Sequence, residues 1–205
     1  MNGDGSYLSD ESRQLLNQAD IVITNPPFRK VRIFYEMLLD AKKDFIVVSS
    51  NIVNMLYYYA YFKRGVKIYN GHNYNYFDLH NEFNSLNKKC CWKSTLKTDG
   101  HKIKILTNKF ADIQNKEWFD LLFRGEKVLN VNRTKDIPID YTGYIATPIT
   151  TINQELNINY DLCGIAISGF KDPPPDTLIK PIVNGKSKFL RFIIKITGLK
   201  NEEEK

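Results

Sequence analysis

Cysteine is scarce in this 205-residue chain, which has only Cys90, Cys91 and Cys163. Three is an odd count for a disulfide framework, and an adjacent pair cannot form an ordinary zinc knuckle. Histidine is as sparse, and His72, His80 and His101 lack the spacing of a metal-ligating set. No apolar run approaches the roughly 18 residues that a membrane-spanning helix needs. The opening Met1-Asn2-Gly3-Asp4-Gly5 is polar and does not resemble a signal peptide. The expectation is a cytoplasmic protein of a reducing compartment, with no metal and no membrane partner.

What is present is an ordinary globular balance, with 42% hydrophobic and 25% charged residues, and this excludes a disordered chain. The net charge of +6 is unevenly placed. Residues 29–110 carry 15 Lys and Arg against 6 Asp and Glu, whereas residues 111–205 balance at 13 each. A basic stretch of this kind suits a polyphosphate partner, and it equally suits solvated helix faces.

Residues 1–70 alternate in period. Ser9 is placed to cap a helix running to about Gln18, with Asp10 and Glu11 in its first turn. Asp20 to Thr24 reads as a buried β-branched strand, stopped by Asn25-Pro26-Pro27-Phe28. Apolar residues at Val31, Phe34, Met37, Leu38 and Ala41 predict a helix over 30–43. Phe45 to Val48 predicts a second strand, residues 51–63 a second helical stretch ending at Gly65, and Val66 to Tyr69 a third strand. Such alternation predicts an α/β fold with a largely parallel sheet and crossover helices. Residues 71–100, rich in Asn, Tyr and Lys, read as an insertion. Beyond them lie a half-exposed strand over Lys102 to Thr107, a short helix over Trp118 to Phe123 and an irregular segment over Ile137 to Thr150. A buried strand from Tyr160 to Phe170 and a proline-rich loop over Lys171 to Thr177 come next. The end reads as a hairpin of Ile179 to Val183 and Phe189 to Ile196 about an Asn184-Gly185 turn. The expected division is one region over 1–70 and, over 71–205, the remainder of the sheet with a mixed α+β region, the whole forming one continuous domain.

The tetrapeptide Asn25-Pro26-Pro27-Phe28 carries the most chemistry. Asn25 and Pro26 each precede a proline and are driven to extended geometry, and the prolines lack N–H groups. The loop therefore displays acceptors: the Asn25 side-chain oxygen and the Pro26 carbonyl. The exocyclic amine of adenine is a poor nucleophile because its lone pair is delocalised into the ring. Two acceptors holding its hydrogens would favour a tetrahedral nitrogen and aim the lone pair, so catalysis is positioning and local electrostatics and calls for no metal. Phe28 offers a stacking face to an extruded base. The alternative is a strand terminator whose Phe28 packs in the core; the position at a strand's carboxyl tip, where open α/β sheets bind ligands, favours the functional reading.

Asp20-Ile21-Val22-Ile23-Thr24-Asn25-Pro26-Pro27-Phe28 resembles the catalytic motif of S-adenosylmethionine-dependent amino-methyltransferases. The Gly3-Asp4 start, Lys135-Asp136-Ile137-Pro138-Ile139-Asp140-Tyr141, Thr147-Pro148-Ile149-Thr150 and the Asn184-Gly185 turn extend the resemblance to the EcoRI-type adenine-specific DNA methyltransferases. It implies a Rossmann-like methyltransferase sheet, S-adenosylmethionine as donor and adenine in double-stranded DNA as substrate, within a restriction-modification setting. By motif, Asn25 and Pro26 would hold the amine, Pro27 would stiffen the loop and Phe28 would stack on the base. Asp4 matches the acidic position that contacts the donor. Arg29, Lys30 and Arg32 either clamp flanking phosphates or form the exposed side of the following helix.

The glycine-rich turn after a first strand, where such enzymes hold the donor, is missing. The expectation is an incomplete sheet without its first strands, a truncated or split form with a separate N-terminal fragment as partner. Two alternatives stay open: a non-catalytic nucleic-acid-binding remnant, and a methyltransferase acting on RNA or a protein amide.

Overall fold

The computed structural model describes residues 6–26, 31–50, 64–66, 68–76, 88–96, 103–168, 176–188 and 190–200. The chain divides into two compact units, residues 1–99 and 100–205. The expected division at residue 70 falls inside a strand of the first unit.

The first unit opens with α1 (Asp10–Gln18), begun as the sequence predicts: the Ser9 side chain accepts a hydrogen bond from the Ser12 amide at 3.2 Å. β1 (Ile21–Thr24), α2 (Val31–Asp40) and β2 (Asp44–Ser50) follow. β1 and β2 pair in parallel, Ile21 opposite Asp44 and Thr24 opposite Val47, as the crossover helix between them requires. β3 (Tyr69–Tyr76) and β4 (Lys88–Ser94) complete a sheet of order β1-β2-β4-β3.

Two expectations change here. Residues 71–100 were expected to form an irregular insertion, but much of the segment forms the antiparallel pair β3–β4. β4 then lies antiparallel between β2 and β3, so the sheet is mixed rather than largely parallel. β1 is also not fully buried: Ile21 is 45% and Ile23 68% exposed. Among the described residues β1 pairs only with β2, and an edge strand whose outer face is uncovered leaves alternate side chains in water. The predicted helix over 51–63 lies outside the described residues.

The second unit is a six-stranded mixed sheet of order β5-β6-β7-β12-β8-β9. Its strands are β5 (Glu117–Trp118), β6 (Val128–Asn130), β7 (Tyr144–Pro148), β8 (Ile158–Ile167), β9 (Thr177–Ile179) and β12 (Leu190–Leu199), with a separate pair of β10 (Ile182–Val183) and β11 (Lys186–Ser187). Both faces are covered. Phe119, Phe123, Tyr144, Ala146 and Ile193 belong to one cluster, and Leu129, Ile137, Ile145 and Ile194 to the other. The alternation of β7 and β12 between these clusters is the two-residue period of a strand buried on both sides.

Several local expectations are corrected. Trp118 begins no helix, because β5 pairs with β6 there. Within the expected strand over Lys102 to Thr107, among the described residues Ile103 to Thr107, only Lys104 is bridged, to Leu156. The segment over 137–150 contains the central strand β7, hidden in the sequence by the flanking Gly143 and Pro148. The Asn184-Gly185 turn is real, with φ of 50° and 71°, as a tight two-residue hairpin needs. Its arms are only β10 and β11. The long strand β12 pairs instead with β7 and β8.

The Ile137-Pro138-Ile139-Asp140-Tyr141 stretch proves to be packing. Ile137 is fully buried, the Asp140 carboxylate accepts from the Phe110 amide at 2.6 Å, and Tyr141 stacks on Phe110 at 4.5 Å. Gly143 is required beside it, since a Cβ there would collide with the Tyr141 ring.

Candidate active site

The carboxyl end of β1 delivers the chain into the motif. β1 ends at Thr24; Asn25 follows as an exposed residue, and Pro26 is buried. Asn25 is therefore open to solvent at the tip of the strand, and Pro26 is packed. α2 restarts the chain at Val31.

The far anchor is aromatic. Tyr35 on α2 is 2% exposed, with its ring edge-on to Phe45 of β2 at 5.6 Å, and Phe34 meets Tyr7 edge-on at 5.4 Å. Such pairs add roughly 0.5–1.5 kcal/mol each beyond the area that they bury. Leu38, one turn on, is fully buried. α2 therefore cannot slide on the sheet without breaking this packing.

Beneath α2 lies a group of buried polar side chains that the sequence did not single out. Ser49 near the carboxyl end of β2 stands opposite Cys91, and Val47 opposite Lys93. Ser49 and Cys91 are each 1% exposed and Lys93 is 4% exposed. Burial pushes the Tyr35 hydroxyl well above its ordinary range, while its hydrogen bond with Ser49 works the other way. Burial also lowers the Lys93 ammonium, and neighbouring Cys91 opposes that shift. Lys93, within the basic stretch over 29–110, is an interior residue of the helix–sheet layer. No single stretch of sequence signals this group, because only the β2–β4 register brings its members together.

The other expected site residues are accounted for as follows. Asp4, Pro27, Phe28, Arg29 and Lys30 lie outside the described residues, and Arg32 is the second residue of α2, its side chain likewise outside them. Among the described residues no group of three or more His, Cys, Asp or Glu could hold a metal ion, and no helix is long and apolar enough to cross a membrane.

The family model described as adenine-specific methyltransferase EcoRI matches residues 1–125. The chain is 28% identical over 232 residues to the type II methyltransferase M.MgeORF184P of Mycoplasma genitalium, a match covering 95% of the chain and 70% of that protein. It is 28% identical over 216 residues to the type II methyltransferase M.EcoRI of Escherichia coli, covering 94% of the chain and 62% of the relative. The type II methyltransferase M.MpnI of Mycoplasma pneumoniae is 28% identical over 177 residues, 74% of the chain and 53% of that protein. The chain thus spans roughly half to two thirds of the length of these relatives. No solved structure matches it.

Proposed function

The chain belongs to the family of the adenine-specific methyltransferase EcoRI, and on that premise we propose that it forms the catalytic and DNA-facing part of a site-specific DNA methyltransferase. In this reading a methyl group passes to the exocyclic amine of adenine in double-stranded DNA. The observation that carries it is the exposed Asn25 at the carboxyl tip of a parallel strand, directly before a buried proline.

The donor that the family implies is S-adenosylmethionine, which supplies an electrophilic methyl when bound. The residues described here fit the acceptor side of the reaction better than the donor side. Asn25 presents a carbonyl oxygen to solvent, and the Pro26 carbonyl follows it in a chain whose φ is fixed by the ring. Together they would hold both hydrogens of the amine, leaving its lone pair directed outward. Asp4 would contact the donor and Phe28 would stack on the extruded base. Arg29, Lys30 and Arg32 would engage flanking phosphates, which orient the duplex without reading its sequence. The parallel β1–β2 pair with its crossover helix supports a Rossmann-like sheet lacking its first strands. The exposed Ile21 and Ile23 support a separate N-terminal fragment that covers β1.

Incubating the chain, supplemented in trans with a fragment that carries a glycine-rich donor-binding turn, with labelled S-adenosylmethionine and, in parallel, duplex DNA, structured RNA and protein tests the reading. Label in adenine of duplex DNA alone is the expected result. Label in RNA or protein would replace the substrate. DNA binding with no label in any substrate would favour a non-catalytic remnant, the reading that the uncovered face of β1 supports.

A further inference from the structure

A cavity of about 170 Å³ opens in the second unit at one end of the β5–β6 pair, with Ile113, Leu129 and Val131 among its walls and Asn115, Glu117, Asn130 and Asn132 among its polar groups. That volume corresponds to about six waters, and it falls below the roughly 300 Å³ at which pockets for whole small molecules begin. It suits one flat group, not a nucleotide or a methyl donor.

The polar groups are fixed in orientation. One Glu117 carboxylate oxygen accepts from the Asn130 amide at 2.7 Å, from the Asn132 amide at 3.1 Å and from the Lys188 ammonium at 3.5 Å. Burial pushes the Glu117 carboxyl up, but these three donors together hold it below its ordinary value, so it is ionised at neutral pH. The Asn130 amide cannot turn over, because its oxygen would then face the carboxylate. That oxygen is buried and accepts no hydrogen bond. A buried acceptor without a donor costs about as much as a hydrogen bond lost, and such groups in native proteins call for an explanation. Two acceptors of these cavity-lining residues are left without a hydrogen bond among the described residues: the second Glu117 oxygen and the buried Asn130 oxygen.

We propose that the Glu117–Asn130–Asn132 cavity takes the amino edge of a cytosine or adenine and so helps to select the DNA sequence on which the enzyme acts. The inference rests on the DNA-methyltransferase reading. Carboxylates accept from the cytosine amine and asparagines from the adenine amine, and apolar walls suit the faces of a planar ring. The carboxylate disfavours phosphate, so this site reads bases and leaves the backbone to other residues.

Selection from a randomised duplex library, with sequencing of the bound fraction, tests the assignment. The wild-type chain is expected to enrich a motif. Glu117→Gln, which keeps the shape and removes the charge, should lose about tenfold of the discrimination at one amino-bearing position and keep the rest. Asn115→Ala at the exposed rim should weaken the same position, and it decides the matter if Glu117→Gln melts early. Unchanged motifs from both folded variants would overturn the cavity's role while leaving the methyltransferase reading intact. A wild-type chain that enriches nothing would overturn DNA reading itself, and the cavity's role with it.

Discussion

Substituting Gly143 by alanine should destabilise the second unit through one ring. The new Cβ would overlap the Tyr141 side chain, which is stacked on Phe110 at 4.5 Å and 18° and edge-on to Trp118 at 6.2 Å. Gly143 is not at positive φ, so backbone strain contributes nothing, and the smaller entropy of the unfolded alanine chain returns about 0.4–1 kcal/mol. Overpacking of this kind costs about 1–3 kcal/mol. The net loss is about 1–2 kcal/mol, which for a unit of this size lowers the melting midpoint by roughly 4–8 °C per kcal/mol. Thermal denaturation followed by near-ultraviolet circular dichroism reads the Tyr141 and Trp118 environment directly. A double-mutant cycle isolates the cause: with Tyr141→Ala already in place the clash is gone, so adding Gly143→Ala should cost nothing further. If the two losses simply add, the ring contact is not the reason for glycine at this position.

Leu38→Ala removes a fully buried side chain from α2, and should cost about 2–5 kcal/mol in denaturant unfolding. An unchanged midpoint would mean that α2 is not anchored as described. Glu117 gives a pH signature. Its carboxyl is held below the ordinary value in the folded state, so its contribution is complete above the unfolded value and is lost as pH falls through the folded one. The stability gap between wild type and Glu117→Gln should therefore be constant near neutrality and close on acidification. A gap that widens in acid would contradict the network.

Much of the first unit was legible in the sequence because its signals are local. Ser9 caps α1 through its own side chain, and the apolar spacing of Phe34 and Leu38 marks α2. The prolines after Thr24 end β1 at the right place. What stayed hidden depends on partners. Ile21 and Ile23 have the composition of interior residues, and only the packing on the face of β1 decides that they stand in water. Asn and Tyr residues over 69–76 conceal a strand because its partner β4, not its own period, holds it in place. In the second unit, the turn at Asn184-Gly185 was readable from two residues, but the strands that follow it pair over distances that no turn encodes. The same holds for function. The Asn25 loop is contiguous and could be read directly. The group around Ser49, Cys91 and Lys93 exists only through the β2–β4 register, and Glu117 meets Asn130 only because β5 lies beside β6. The resemblance carried by Ile137 to Tyr141 marked the family correctly while the residues themselves serve packing.

The most direct measurement is the rate of labelled methyl transfer to duplex DNA by the wild-type chain and by Asn25→Ala, each complemented with the same donor-binding fragment and compared where the wild type is active. Because Asn25 is exposed, the substitution should shift stability by no more than about 0.5 kcal/mol. Losing an acceptor that acts on the reacting amine should lower the rate by about two to three orders of magnitude. Equal rates from the two proteins would show that the loop after β1 does not hold the reacting nitrogen.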